Sequence, residues 1–135
     1  MKLSCAVSLL VLCVGCAESV ELSQEAHQAA LASLQMIDDK AYGESWEHAS
    51  SIFRGAVTKE DWLATVTKLR EPQGLFQQRM QRSAVAKTNP ASSPKGDYIL
   101  VTYDAQFSES IAIETLVMYL DDGQWQMAGY FLKEI

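Results

Sequence analysis

The hydrophobic rhythm of this chain changes once, past its midpoint, and that change limits the possible folds more than any other feature. Up to residue 70 apolar side chains recur every three or four residues, the spacing that lines one face of a helix. Ser23 can cap a first helix with Glu25 in its first turn, and Ala30, Leu34, Ile37 and Ala41 form its stripe. Gly43 interrupts the pattern, and a second stripe follows at Tyr42, Trp46, Ala49 and Phe53. Thr58 opens a third helix with Asp61 at the capping-box position and Trp62, Val66 and Leu69 on one face, and Pro72 and Gly74 end it. Three helices, each apolar on one side only, must cover something.

What they cover reads as an antiparallel sheet. The stretch from Leu75 to Thr88 is strand-like but alternates poorly, which predicts a bulge or bend. A turn-rich loop runs from Asn89-Pro90 to Gly96-Asp97. Alternation is then clean: Ile99, Val101, Tyr103, Ala105 and Phe107 share one face, with Leu100, Thr102, Asp104 and Gln106 behind them. From Ile111 to Leu120, Ala112, Glu114, Leu116 and Met118 stand opposite Ile111, Ile113, Thr115 and Val117. Asp121-Asp122-Gly123 is a hairpin signal into a last strand, Gln124 to Lys133. Helices grouped before strands predict an α+β fold, three N-terminal helices on a four-stranded antiparallel sheet, in one domain over residues 23–135.

All three cysteines, Cys5, Cys13 and Cys16, precede that domain. The start Met1-Lys2, the apolar run Ala6 to Leu12 and the small residues Gly15, Cys16 and Ala17 have the build of a bacterial export signal over residues 1–15, with a tether over 16–22. The apolar run is shorter than the roughly 20 residues that span a bilayer. Val14-Gly15-Cys16 resembles the lipobox of bacterial lipoproteins, which implies acylation of Cys16 and a membrane anchor; cleavage after Ala17 is the other outcome. Ala17 in place of aspartate implies sorting to the outer membrane, facing the periplasm. Either way the folded part holds no thiol pair, so burial alone must stabilise it. The chain carries 17 acidic against 11 basic residues, a net charge of −6, which argues against nonspecific nucleic-acid binding. Six of those bases fall between Lys68 and Lys95 (Lys68, Arg70, Arg79, Arg82, Lys87 and Lys95) and read as a solvated strand face rather than a headgroup-binding patch.

Several short stretches run in a telling order: Ile37-Asp38, Tyr42-Gly43-Glu44-Ser45-Trp46, Phe53-Arg54, Val57 to Trp62, Leu69 to Gly74, Gly96-Asp97-Tyr98, Glu114-Thr115, Trp125 and Gly129-Tyr130-Phe131. Together they resemble the bacterial family catalogued as domain of unknown function 4019. That resemblance implies no activity. It implies helices followed by a curved sheet, a layout similar to the cone-shaped nuclear-transport-factor-like architecture.

Motifs for chemistry are scarce. His27 and His48 match no metal-ligand spacing and read as exposed helix residues. No G-x-S-x-G elbow, P-loop or G-x-G-x-x-G occurs, and no cofactor is expected. Glu114 shares a strand face with Ala112, Leu116 and Met118, so it points among apolar neighbours. There it is either a structural ion pair, with Arg70 or Arg54 at the helix ends as partner, or a general base in a pocket. Asp104 is a lesser candidate for the base, and Tyr103 or Tyr130 could supply a second polar group. The preferred expectation is a non-enzymatic envelope protein that binds a small apolar ligand or another envelope protein, with a homodimer through the sheet face as one form. A cofactor-free lyase or isomerase using Glu114 or Asp104 is the alternative.

Overall fold

The computed structural model describes residues 18–135; the expected export segment and Cys16 lie outside the described residues. Among the described residues four α-helices and a 3-10 turn precede four strands. Helix α1 (Gln24–Asp38) starts where the Ser23 hydroxyl accepts the Ala26 amide at 3.2 Å, and it buries Ala26, Ala30, Leu34 and Ile37. Helix α4 (Lys59–Arg70) starts in the same way, the Thr58 hydroxyl accepting the Asp61 amide at 3.1 Å, and it buries Trp62, Val66 and Arg70.

The expected single helix through Tyr42–Phe53 is two helices, α2 (Tyr42–Glu47) and α3 (Ser51–Ala56), so the count of three is corrected to four. Ser50 makes the break. Its backbone is extended, its hydroxyl accepts the Phe53 amide at 3.3 Å, and its own amide donates to the Met127 carbonyl at 2.8 Å. An amide committed to a strand cannot also continue a helical ladder.

Strands β1 (Phe76–Thr88), β2 (Asp97–Phe107), β3 (Ile111–Asp121) and β4 (Gln124–Glu134) form an antiparallel sheet in sequence order. The irregularity expected in the first strand is there: the β1–β2 register slips between Phe76 and Gln78 and again between Gln81 and Ser83. A further shift in β3–β4 at Val117/Met118 lets Met127 and Tyr130, three residues apart, both be buried. The helices cover one face of the sheet, on Val101, Tyr103, Leu116, Met118, Met127 and Tyr130. Trp62 is the central piece. Its ring meets Phe53 edge-on at 5.2 Å and Tyr130 at 6.4 Å, and its indole N–H donates to the Ser45 hydroxyl at 2.9 Å.

Gly74 ends the 3-10 turn Glu71–Gln73 with φ 79, and a Cβ there would stand 2.1 Å from the Ser108 hydroxyl, so only glycine fits against the β2–β3 hairpin. The β1–β2 loop folds back over the opposite, outer face of the sheet. There the Tyr98 hydroxyl donates to the Pro94 carbonyl at 2.7 Å and the Tyr119 hydroxyl to that of Lys95 at 3.0 Å. Within the tether expected over residues 16–22, the described part is docked. The Val20 amide donates to the Ala84 carbonyl at 2.7 Å, the Ala84 amide donates to the Ser19 hydroxyl at 3.0 Å, and Leu22 packs on the core. This covers part of the free edge of β1.

Candidate functional site

Four charged side chains from four elements meet under the helices. Asp38 closes α1, Arg70 closes α4, Arg79 comes from β1 and Glu114 from β3, with side-chain exposures of 7, 4, 9 and 0%. Arg79 is the hub. Its Nη1 and Nη2 donate to the two oxygens of Asp38 at 2.7 and 2.9 Å, and its Nε donates to Glu114 Oε1 at 2.9 Å. Arg70 Nη2 donates to Asp38 Oδ1 at 3.0 Å, and the Tyr130 hydroxyl donates to Glu114 Oε2. With both carboxylates ionised the cluster holds two anions and two cations, a balance that buried charge requires.

The electrostatics follow from that closure. Burial works against the charged form of Arg79, but hydrogen bonds and charges from Asp38 and Glu114 outweigh it, and its pKa is raised. Burial raises the Tyr130 phenol, and the adjacent Glu114 charge raises it further. Burial also pushes the Tyr103 phenol up to about 12. The Tyr103 hydroxyl, and Nε and Nη1 of Arg70, have no hydrogen-bond partner among the described residues. The Arg70 guanidinium lies 4.7 Å over the Phe107 ring, which gives its face an electrostatic contact instead.

Several expectations are corrected here. Arg54 does not pair with Glu114; it is exposed on α3, and its Nε donates to the Ala49 carbonyl at 3.1 Å. Arg70 is buried but pairs with Asp38, because the end of α4 faces the end of α1. Asp104 points to the outer face, where Arg82 pairs with it at 3.0 Å with both side chains near half exposed. Arg79 is no part of a solvated face: the register slip at Gln81/Ser83 puts it on the same side as Ala84. Tyr103 and Tyr130 do flank Glu114, and Tyr103 is its direct partner across β2–β3. Asp38 and Arg79 were not singled out as site residues. Asp38 had a signal, since it falls four residues after Leu34 on the buried stripe of α1.

A second feature lies on the outer face and continues round the edge strand β4, where Phe53, Trp62, Thr65 and Tyr130 also line it. Leu100, Val117 and Gly129 are neighbours across three strands, and with Phe131 they form the floor of a groove of about 650 Å³. Ile52 and Ala56 of α3 border one side, Pro90 and Pro94 of the folded-back loop the other, and Lys87 stands at the β1 end. Gly129 keeps the floor low, since a Cβ there would sit 3.4 Å from the Phe131 ring and 3.5 Å from Val117. No carboxylate lines the groove. A more polar cleft of about 350 Å³ reaches Asp38 and Arg70 beside Lys40, Tyr42 and Glu71; Glu114 is not among its lining residues. Among the described residues no group of three or more His, Cys, Asp or Glu is placed to hold a metal ion, and no helix is long and apolar enough to cross a membrane.

The model of a family described as a protein of unknown function, DUF4019, matches residues 29–130, from within α1 to Tyr130 in β4. The chain belongs to the DUF4019 family. No curated protein and no solved structure matches it. The matched span of this DUF4019 chain includes every member of the buried charge cluster and nearly the whole groove floor, with Phe131 one residue beyond it.

Proposed function

We propose that this DUF4019 protein is a non-enzymatic cell-envelope lipoprotein, anchored through an acylated Cys16 to the outer membrane and facing the periplasm, whose groove binds a small apolar ligand. The groove carries this reading: its volume lies within the range of small-molecule sites, and aliphatic and aromatic side chains line most of it. A cone-like, nuclear-transport-factor-like architecture belongs to the same proposal. Its support is the segregation of the helices to one sheet face and the bulges in β1 and β4, which bend strands.

The lyase or isomerase alternative draws less support. A general base must reach its proton directly or through one water. Glu114 has no exposed surface and its oxygens are engaged by Arg79 and Tyr130, while Asp104 pairs with Arg82 at the surface. A homodimer through the sheet face draws on Met80, Ile111 and Phe131, which are exposed on that side.

Native mass spectrometry of the protein taken from its own envelope should show a retained small molecule, and a neutral apolar dye such as N-phenyl-1-naphthylamine should displace it. Ala56→Trp, placed at the exposed border of the groove, should abolish dye binding without lowering the melting temperature. Dye binding unaffected by Ala56→Trp would refute the groove as the site.

A further inference from the structure

The groove differs from the rest of the surface in its charge. The chain has 17 acidic residues, yet none lines the groove, and the single cation there is Lys87. Lys87 is exposed and makes no ion pair among the described residues, whereas Arg79 and Arg82 of the same strand both have carboxylate partners. The apolar floor runs from that end across Leu100 and Val117 to Phe131, a residue 62% exposed. An unpaired cation at one end of an acid-free apolar channel complements a molecule with one anionic end and a long apolar remainder.

We infer that the groove takes a long-chain fatty carboxylate, its hydrocarbon on the Leu100–Val117–Phe131 floor and its carboxylate at the Lys87 ammonium. This rests on the apolar-ligand reading above and adds the class of ligand and its direction. The floor supplies the affinity, because each methylene withdrawn from water tightens binding by about fourfold. Lys87 supplies polarity: its attraction to a carboxylate is a modest, salt-sensitive factor of about two to five, as for other exposed ion pairs. The one cation matches a single anionic group, and the few other polar side chains of the lining, Thr65 and Ser93, offer little to the further oxygens of a phosphodiester headgroup.

The test measures displacement of N-phenyl-1-naphthylamine from full-length protein freed of co-purified lipid, with each competitor below its micelle concentration. Octanoate, decanoate and dodecanoate should bind with affinity rising by about fifteenfold per two carbons while the added carbons stay on the floor, and dodecanoate more tightly than dodecanol. Lys87→Gln should weaken dodecanoate about two- to fivefold and leave dodecanol unchanged, and 0.5 M salt should do the same to wild type. Equal affinities for dodecanoate and dodecanol, insensitive to Lys87→Gln, would overturn the carboxylate assignment while leaving the apolar groove in place. Tighter binding of lysophosphatidylglycerol than of the fatty acid with the same chain would overturn it in favour of a lysolipid. No binding of dye or chain would overturn both readings, and a dimer by sedimentation in that case would give the groove to a second copy.

Discussion

Replacing Glu114 with glutamine keeps the shape of the side chain and removes one charge from the buried cluster. The remaining carboxamide oxygen can still accept from Arg79, and its amide can donate to the Tyr130 hydroxyl, so both contacts survive in altered form. What is lost is neutrality: Asp38 then faces both Arg70 and Arg79, and one positive charge is left without an anion. Breaking a buried pair on one side costs about 3–5 kcal/mol, and the surviving contacts put Glu114→Gln near the lower end, about 3 kcal/mol. A domain of this size is stable by about 5–15 kcal/mol, so the loss is a large share. It lowers the melting temperature by about 9–15 °C, taking about 3–5 °C per kcal/mol for this chain length. Circular-dichroism melts and urea unfolding of wild type, Glu114→Gln, Arg79→Gln and the double variant form the assay. The double variant leaves the neutral Asp38–Arg70 pair, so its destabilisation should fall short of the sum of the singles by about 1–3 kcal/mol. A Glu114→Gln melt within about 2 °C of wild type, or strictly additive singles, would refute the reasoning.

Four further outcomes are expected. Tyr103→Phe removes a buried hydroxyl with no partner and should raise stability by about 1 kcal/mol in urea unfolding; a loss of that size would mean the hydroxyl is satisfied after all. Tyr103 ionises near 10 in the unfolded chain and near 12 in the fold, so its contribution is complete below pH 10 and is lost as pH rises through 12, about 1.4 kcal/mol per pH unit. Tyr130 shifts the same way, so urea midpoints should fall steeply above pH 10, and less steeply in Tyr103→Phe. Trp62→Ala empties the space between Phe53 and Tyr130 and should cost about 3–5 kcal/mol, measured by the same unfolding curves. Cys16→Ser should move the protein out of the detergent-soluble membrane fraction or leave the precursor uncut; a wild-type protein already soluble in the periplasm and starting at Glu18 would count against the anchor.

Much of the fold was legible because local signals and tertiary packing agree. The alternation in β2 and β3 is unbroken, so a period of two assigned both faces correctly and put Glu114 inside. Ser23 and Thr58 cap their helices as their types predict, and Asp122 and Gly123 take positive φ in the tight β3–β4 turn. The misses have non-local causes. The break at Ser50 depends on a bond to Met127, 77 residues away in sequence, which no helical pattern contains. Arg79 was hidden by a bulge that changes which residues of β1 face inward, so parity counted along the strand gives the wrong side. Arg54 and Arg70 both sit at helix ends, but only α4 ends against the core, and that depends on how the helices pack. The groove escaped for a related reason: its border is a loop and a helix brought together over the back of the sheet.

The docking of Ser19 and Val20 on β1 changes what an anchor at Cys16 would do. From Cys16 to Ser19 is three residues, a reach of at most about 11 Å even when fully extended. A lipid on Cys16 would therefore act less as a leash than as a short pivot, holding one edge of the sheet within about a headgroup layer of the bilayer surface. The domain could swing about that edge but not drift away from it, so any ligand of the groove would be exchanged with the membrane itself or with partners that come to the membrane.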